Sequence, residues 1–191
     1  MLRITNLEEI QSLLLRIQYL VDLQERRDSD FVHEVKEWLS KLEKVLDNNR
    51  MPVAGNVAAL RGLLISAERG VIPAGVEFHG RSTKRKILDA AAAYVLRQTG
   101  DLISSVIQKD HERVAEAERL SRQLVAIAKA KGLLLERPTG DNFTDMLTAF
   151  WRTLSADPEL SSGTVNVEGL IGPNDALIIL DRTITSDTPM E

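Results

Sequence analysis

Few residues in this chain have the types and spacing that catalysis or metal binding requires. The 191 residues include three histidines, His33, His79 and His111, and no cysteine. None of the histidines lies within the paired acids or paired histidines of a metal site or a catalytic triad. The lack of cysteine excludes disulfides, thiol catalysis and cysteine-based zinc sites. We therefore assign no catalytic residue, no metal site and no cofactor.

His33 is the histidine whose sequence context indicates a role. In a helix that buries Val35, His33 would face solvent, because the two residues lie about 200° apart around the helix axis. Phe31, His33, Glu34 and Lys36 together resemble the phosphoacceptor box of histidine-kinase dimerisation domains. The resemblance implies histidine phosphotransfer through His33, which is one alternative function.

A basic cluster lies near the predicted start of the fourth helix. It consists of Arg81, Lys84, Arg85 and Lys86. Cations at a helix N-terminus oppose the helix dipole, so an anion beside them would be stabilised and would also meet free backbone N–H groups. Residues 51 to 137 carry 14 basic and 9 acidic residues, whereas residues 138 to 191 carry 2 and 9. The anion is therefore either a carboxylate of the chain's own acidic end or an external phosphate or nucleic acid, and anion or nucleic-acid binding is a second alternative function.

The loop before this cluster has the spacing of a nucleotide-binding loop. Gly75 to Thr83 reads GVEFHGRST. Arg81 stands where the lysine of a Walker A loop contacts the phosphates, and no series of alternating strands and helices follows. We therefore predict no nucleotide site.

Two apolar helices at the N-terminus carry the strongest pattern in the sequence. A three-four spacing predicts a first helix with Leu7, Ile10, Leu14, Ile17 and Val21 on one face, and a second with Phe31, Val35, Trp38 and Leu42. The two should form an antiparallel hairpin. Further apolar residues such as Leu15 and Tyr19 widen the surface of the first helix beyond what one neighbour would cover. We therefore predict self-association through these nine residues.

The remaining chain predicts a mainly α-helical protein of about six helices with a long central helix and a small C-terminal β-hairpin. A third helix should end at Gly70. The central helix should run from Asp101 to Lys131, after a break at Gly100 and before Gly132; one continuous helix from Thr83 to Lys131 is the alternative. Thr164 to Glu168 and Ala176 to Thr185 predict the two strands of the hairpin. The expected domains are residues 1 to 50, the self-associating hairpin; 51 to 160, the helical bundle; and 161 to 191, the β-hairpin with a flexible tail.

Bulk composition agrees with a globular, water-exposed protein. The chain is 43% hydrophobic and 27% charged with a net charge of -4. Its longest apolar runs are too short to cross a bilayer, and no signal peptide precedes the first helix. We expect a cytoplasmic, non-enzymatic scaffold or adaptor that forms a homodimer and binds a protein partner, without membrane contact.

Overall fold

The computed structural model describes residues 1–72, 74–76, 83–133 and 143–186. These residues form seven α-helices and no strand, so the mainly helical class that we predicted is what the structure shows. The helices are α1 (Ile4–Glu25), α2 (Phe31–Asn48), α3 (Ala54–Glu68), α4 (Lys84–Ala130), α5 (Phe143–Ala156), α6 (Ser161–Ile171) and α7 (Pro173–Ser186).

The predicted C-terminal β-hairpin is wrong, because the residues assigned to its two strands belong to α6 and α7. Both segments are rich in β-branched residues, which favours strands. Their buried positions nevertheless recur at helical spacing. These positions are Thr164, Val167 and Ile171 in α6, and Ala176, Ile179, Leu180 and Thr183 in α7. Gly172, with φ of +84°, separates the helices, and Pro173 begins α7, where a missing N–H costs no hydrogen bond.

The number of helices in the described residues is also higher than the six that we predicted. The two helices expected on either side of Gly100 are one continuous helix, α4, and two helices replace the hairpin. Gly100 lies inside this helix and is in close contact with a side chain of α1. A Cβ at this position would lie 3.0 Å from Cδ1 of Ile17 in α1. The glycine therefore leaves room for the Ile17 side chain.

The chain forms two compact units. The N-terminal unit contains Ile4–Gln108 with Leu2, and so holds α1, α2, α3 and the first part of α4. Polar contacts show that α1 and α2 are antiparallel, since Asn6 contacts Asn49 near one end and Arg16 contacts Glu34 near the other. The core of this unit includes Ile10, Leu20, Trp38, Leu39, Leu42, Leu46, Val57, Leu64, Val95 and Ile103.

The C-terminal unit contains the chain from Lys109 onward, with Met1 and Arg3. Trp151 is buried in this unit and donates its indole N–H to Oε1 of Glu168, 2.7 Å away. Lys131 Nζ lies 2.8 Å from both Asp157 Oδ2 and Glu159 Oε2. The hydrogen bond from Lys131 lowers the pKa of Asp157, and the same bond raises the pKa of Lys131. At this point the acidic end of the sequence binds a cation of its basic middle.

Four helices end in the same hydrogen-bonded cap. In each, the second residue past the helix adopts a left-handed conformation, and the N–H of the following residue donates to the carbonyl five positions earlier. Gly70 and Gly132 occupy this position after α3 and α4, with φ of +86° and +69°. The predicted helix end at Gly70 is therefore confirmed. After α1 and α2 the position is filled by Arg27 and Arg50, with φ of +55° and +53°, although neither has the conformational freedom of glycine.

Candidate functional site

The nine residues predicted for self-association fall into two groups. Six are buried within the chain: Leu7, Ile10, Phe31, Val35, Trp38 and Leu42. The other three, Leu14, Ile17 and Val21, are half-buried and lie on α1. The seam between α1 and α2 is therefore occupied inside one molecule. What α1 leaves accessible is its outer face.

A hydrogen bond as well as apolar packing holds α1 and α2 together at the seam between them. Trp38 is fully buried and donates its indole N–H to the carbonyl of Leu13 in α1 over 2.7 Å. At the same seam Arg16 Nη2 lies 2.6 Å from Glu34 Oε2. A buried indole with a satisfied N–H fixes the position of α2 against α1. The outer face of α1 is thus presented on a firmly packed helix.

The outer face of α1 and the neighbouring part of α4 enclose an apolar groove, here named the α1–α4 groove. Its volume is about 1020 Å³, and all of its lining residues belong to the N-terminal unit. They are Leu14, Leu15, Ile17, Gln18, Val21 and Gln24 from α1, Gly75 and Val76 from the loop, and Ala90, Ala93, Tyr94, Leu96, Arg97, Gly100, Asp101 and Ser104 from α4. Half of these sixteen residues are aliphatic, and five are polar or charged: Gln18, Gln24, Arg97, Asp101 and Ser104.

Two glycines shape this groove. Gly100 lies under the side chain of Ile17, as described above. Gly75 has φ of +91° and lies against the ring of Tyr94, where an added Cβ would be 3.2 Å from the phenolic oxygen. A side chain at either position would press on a residue that lines the groove. Both glycines therefore leave space for residues that line the groove.

Two large apolar side chains of α1 are exposed beside the groove. Leu15 is 79% exposed and Tyr19 is 49% exposed. They are four residues apart on one helix, so they are neighbours on the same face. Single exposed apolar residues are common on protein surfaces, but here two are adjacent, and Leu15 also lines the groove. Complete burial of a leucine side chain contributes about 1.5–3 kcal/mol.

Charges of both signs lie on the α4 side of the groove. Arg97 and Asp101 both line it, both are exposed, and they are one helical turn apart. Within the described ranges neither forms an ion pair. The rim of the groove therefore carries a cation and an anion that have no ion-pair partner among the residues that the structure describes.

Three of the four residues of the basic cluster belong to the part of the chain that the structure describes. Lys84, Arg85 and Lys86 are exposed at the start of α4, whereas Arg81 lies outside the described residues. Arg85 donates to the carbonyl of Arg27 over 3.3 Å and lies 3.9 Å from Asp89. The concavity beside it, of about 740 Å³, is lined by acids as well as bases: Gln24, Arg27, Asp28, Phe31, Thr83, Arg85, Lys86, Asp89 and Ala90. A role in binding an external anion stays a prediction.

The histidines are not brought together with other ligands. His33 is exposed on α2, His111 is half-buried on α4, and His79 lies outside the described residues. Among the residues that the structure describes, no three His, Cys, Asp or Glu side chains are grouped so that they could hold a metal ion.

None of the helices in the same ranges has both the length and the apolar character needed to span a bilayer.

Sequence reasoning missed the α4 side of the groove. The spacing of Ala90, Ala93, Arg97 and Ser104 places them on one helix face, which the sequence could have shown. Their small size and mixed polarity gave no apolar signal, and the expected break at Gly100 divided the set between two helices.

In comparisons with protein families, curated proteins and solved structures, the chain matches no family, no curated protein and no solved structure.

Proposed function

We propose that this chain is a non-enzymatic interaction protein, a scaffold or adaptor, that self-associates through α1 at the α1–α4 groove. The observation that carries the proposal is the exposure of Leu15 and Tyr19 on α1, next to the half-buried Leu14, Ile17 and Val21. This set is smaller than the predicted one, because the other six residues are buried inside the chain.

The physical reason is the cost of apolar surface in water. Each square ångström of apolar surface removed from water contributes roughly 25 cal/mol. Leu15 and Tyr19 protrude, and the neighbouring groove is recessed, so one molecule presents both a projection and a cavity. A second copy offers the complementary pair. Tyrosine at such a patch is favoured in interfaces because it buries a large rigid ring and keeps its hydroxyl hydrated.

The test is the molar mass of the full chain in solution, measured by light scattering after chromatography across a micromolar concentration series. We expect a mass above one chain for the natural sequence, and a shift to one chain for the variant Leu15→Glu with Tyr19→Glu. Both positions are exposed, so the double variant should keep its helical circular dichroism.

A matched control is Val165→Glu, since Val165 is 67% exposed on α6 and does not line the groove. This variant should associate like the natural chain. A natural chain that is a monomer throughout the series would disprove the proposal. Equal loss of association in Val165→Glu would show that the effect is one of added charge and not of the α1 surface.

Histidine phosphotransfer is kept as a second candidate because His33 is exposed on an ordered helix whose neighbours Phe31 and Val35 are buried. A phosphoacceptor must be accessible in this way. The test is incubation with a phosphorylated receiver domain, which should give an acid-labile label that His33→Gln abolishes and His111→Gln retains. A chain that takes no label, or one whose label survives His33→Gln, rules this candidate out.

A further inference from the structure

We infer that the self-associated form is a two-fold symmetric dimer in which the two α1–α4 grooves face each other and Arg97 of each subunit pairs with the partner subunit's Asp101. This inference rests on the proposed function and specifies its geometry. A second copy is the occupant that the charges around the groove favour.

The pairing follows from the position of the two charges on α4. Arg97 and Asp101 are four residues apart and therefore lie about 6 Å apart along one face of the helix. A two-fold axis perpendicular to α4 and level with the midpoint of the two residues reverses the direction of the partner helix. It places each Arg97 opposite an Asp101 and produces two reciprocal ion pairs from one helical turn. Such self-complementarity is the requirement for an interface that uses the same patch on both subunits.

The two charges are free to make these contacts. Some charged residues of the N-terminal unit are paired within the chain, including Arg16 with Glu34 and Arg61 with Glu43. Arg97 and Asp101 are exposed and have no ion-pair partner in the described ranges. Opposite charges across an interface contribute mainly to register and partner choice, whereas apolar anchors contribute most of the affinity.

The apolar residues agree with the same arrangement. Leu15 projects from α1 on one side of the groove, and Arg97 and Asp101 lie on α4 on the other. When the two grooves face each other with α4 opposite the partner subunit's α4, Leu15 and the apolar lining of both grooves are removed from water together. The α1 and α4 helices of both subunits then form a four-helix layer around the axis, with the charges at its rim.

Charge exchange tests the pairing. Arg97→Glu leaves two acids at the rim and Asp101→Arg leaves two bases, so each variant alone should dimerise at least about tenfold more weakly than the natural chain. An equimolar mixture of the two variants restores both reciprocal pairs and should form the heterodimer, which native mass spectrometry detects by mass. The control exchanges Glu116 and Arg119 on the same helix, which are already paired within one chain, and should leave association unchanged.

The outcomes separate this inference from the proposed function. If the natural chain associates but neither rim variant weakens it, or if the mixture associates no better than each variant alone, the reciprocal pairing is wrong and self-association stands. A natural assembly of more than two chains also overturns the two-fold arrangement. If the natural chain does not associate at all, the proposed function itself fails.

Discussion

Ile17 of α1 packs directly over Gly100 of α4, with its Cδ1 3.0 Å from the position that a Cβ on residue 100 would occupy. Gly100 lies in the interior of a 47-residue helix, where a glycine costs stability relative to alanine. The contact with Ile17 joins the two helices whose outer surfaces form the α1–α4 groove.

The contact at Gly100 leads to a prediction about stability. Gly100→Ala should raise the free energy of unfolding by about 0.5–1 kcal/mol, because alanine is the better helix former and the terminal methyl of half-buried Ile17 can rotate into the groove. Urea denaturation followed by circular dichroism measures the change.

The opposite sign is expected at Gly163 in α6. A Cβ there would lie 2.6 Å from Cδ2 of Leu124, which is buried and has three side-chain atoms within 4 Å of that position. Gly163→Ala should therefore destabilise the chain by about 1–2 kcal/mol despite its gain in helix propensity. A loss of stability in Gly100→Ala as large as that in Gly163→Ala would show that Ile17 is held as rigidly as Leu124.

The buried threonines should also respond in opposite ways to valine. Thr99 is fully buried, and its hydroxyl has no hydrogen-bond partner in the described part of the chain. Thr99→Val keeps the shape and removes an unsatisfied polar group, so it should stabilise by about 1 kcal/mol. Thr183 donates to the carbonyl of Ile179 over 2.8 Å, and Thr183→Val should destabilise by about 1 kcal/mol. Thermal and urea unfolding of the two variants would refute this account if both changed in the same direction.

The arginine-containing caps predict a gain from glycine. A left-handed conformation costs a residue with a Cβ about 1–2 kcal/mol, and the larger entropy of glycine in the unfolded chain offsets part of this. Arg50→Gly should therefore stabilise by about 0.5 kcal/mol, whereas Gly132→Ala, at the same cap position of α4, should destabilise by about 1 kcal/mol. Midpoints of urea unfolding decide between these signs, and destabilisation by Arg50→Gly would indicate that its side chain contributes a contact that outweighs the backbone strain.

The ion pair of Lys131 predicts a pH dependence of stability. Because Lys131 lowers the pKa of Asp157, the carboxylate stabilises the folded chain above its ordinary pKa, and this contribution is lost as the pH falls through the lowered folded value. Lys131→Met should therefore be less stable than the natural chain at neutral pH, and the difference should shrink in strong acid. Urea unfolding at a series of pH values measures it.

The control for that experiment is Lys129→Met, which removes the same charge from an exposed residue two positions away on α4. Its difference from the natural chain should be small at all of these pH values. A difference for Lys131→Met that stays constant from neutral pH into strong acid would contradict a role for the Asp157 carboxylate.

The sequence by itself determined the helical class, the first two helices and the helix end at Gly70, because helical periodicity and glycine caps act over a few residues. It misled where propensity and periodicity disagreed. The β-branched residues around Val167 and Ile179 suggested strands, but their buried positions follow a helical period.

Tertiary structure decided which apolar residues of α1 remain accessible. The sequence could not distinguish Ile10 from Leu15, since both are aliphatic residues of one helix, yet the first is buried and the second is 79% exposed. That difference depends on where α2 and α4 pack around α1, through contacts between residues far apart in the sequence such as Trp38 with Leu13 and Ile17 with Gly100. Local patterns establish helices, and only long-range packing establishes which of their faces are left for a partner.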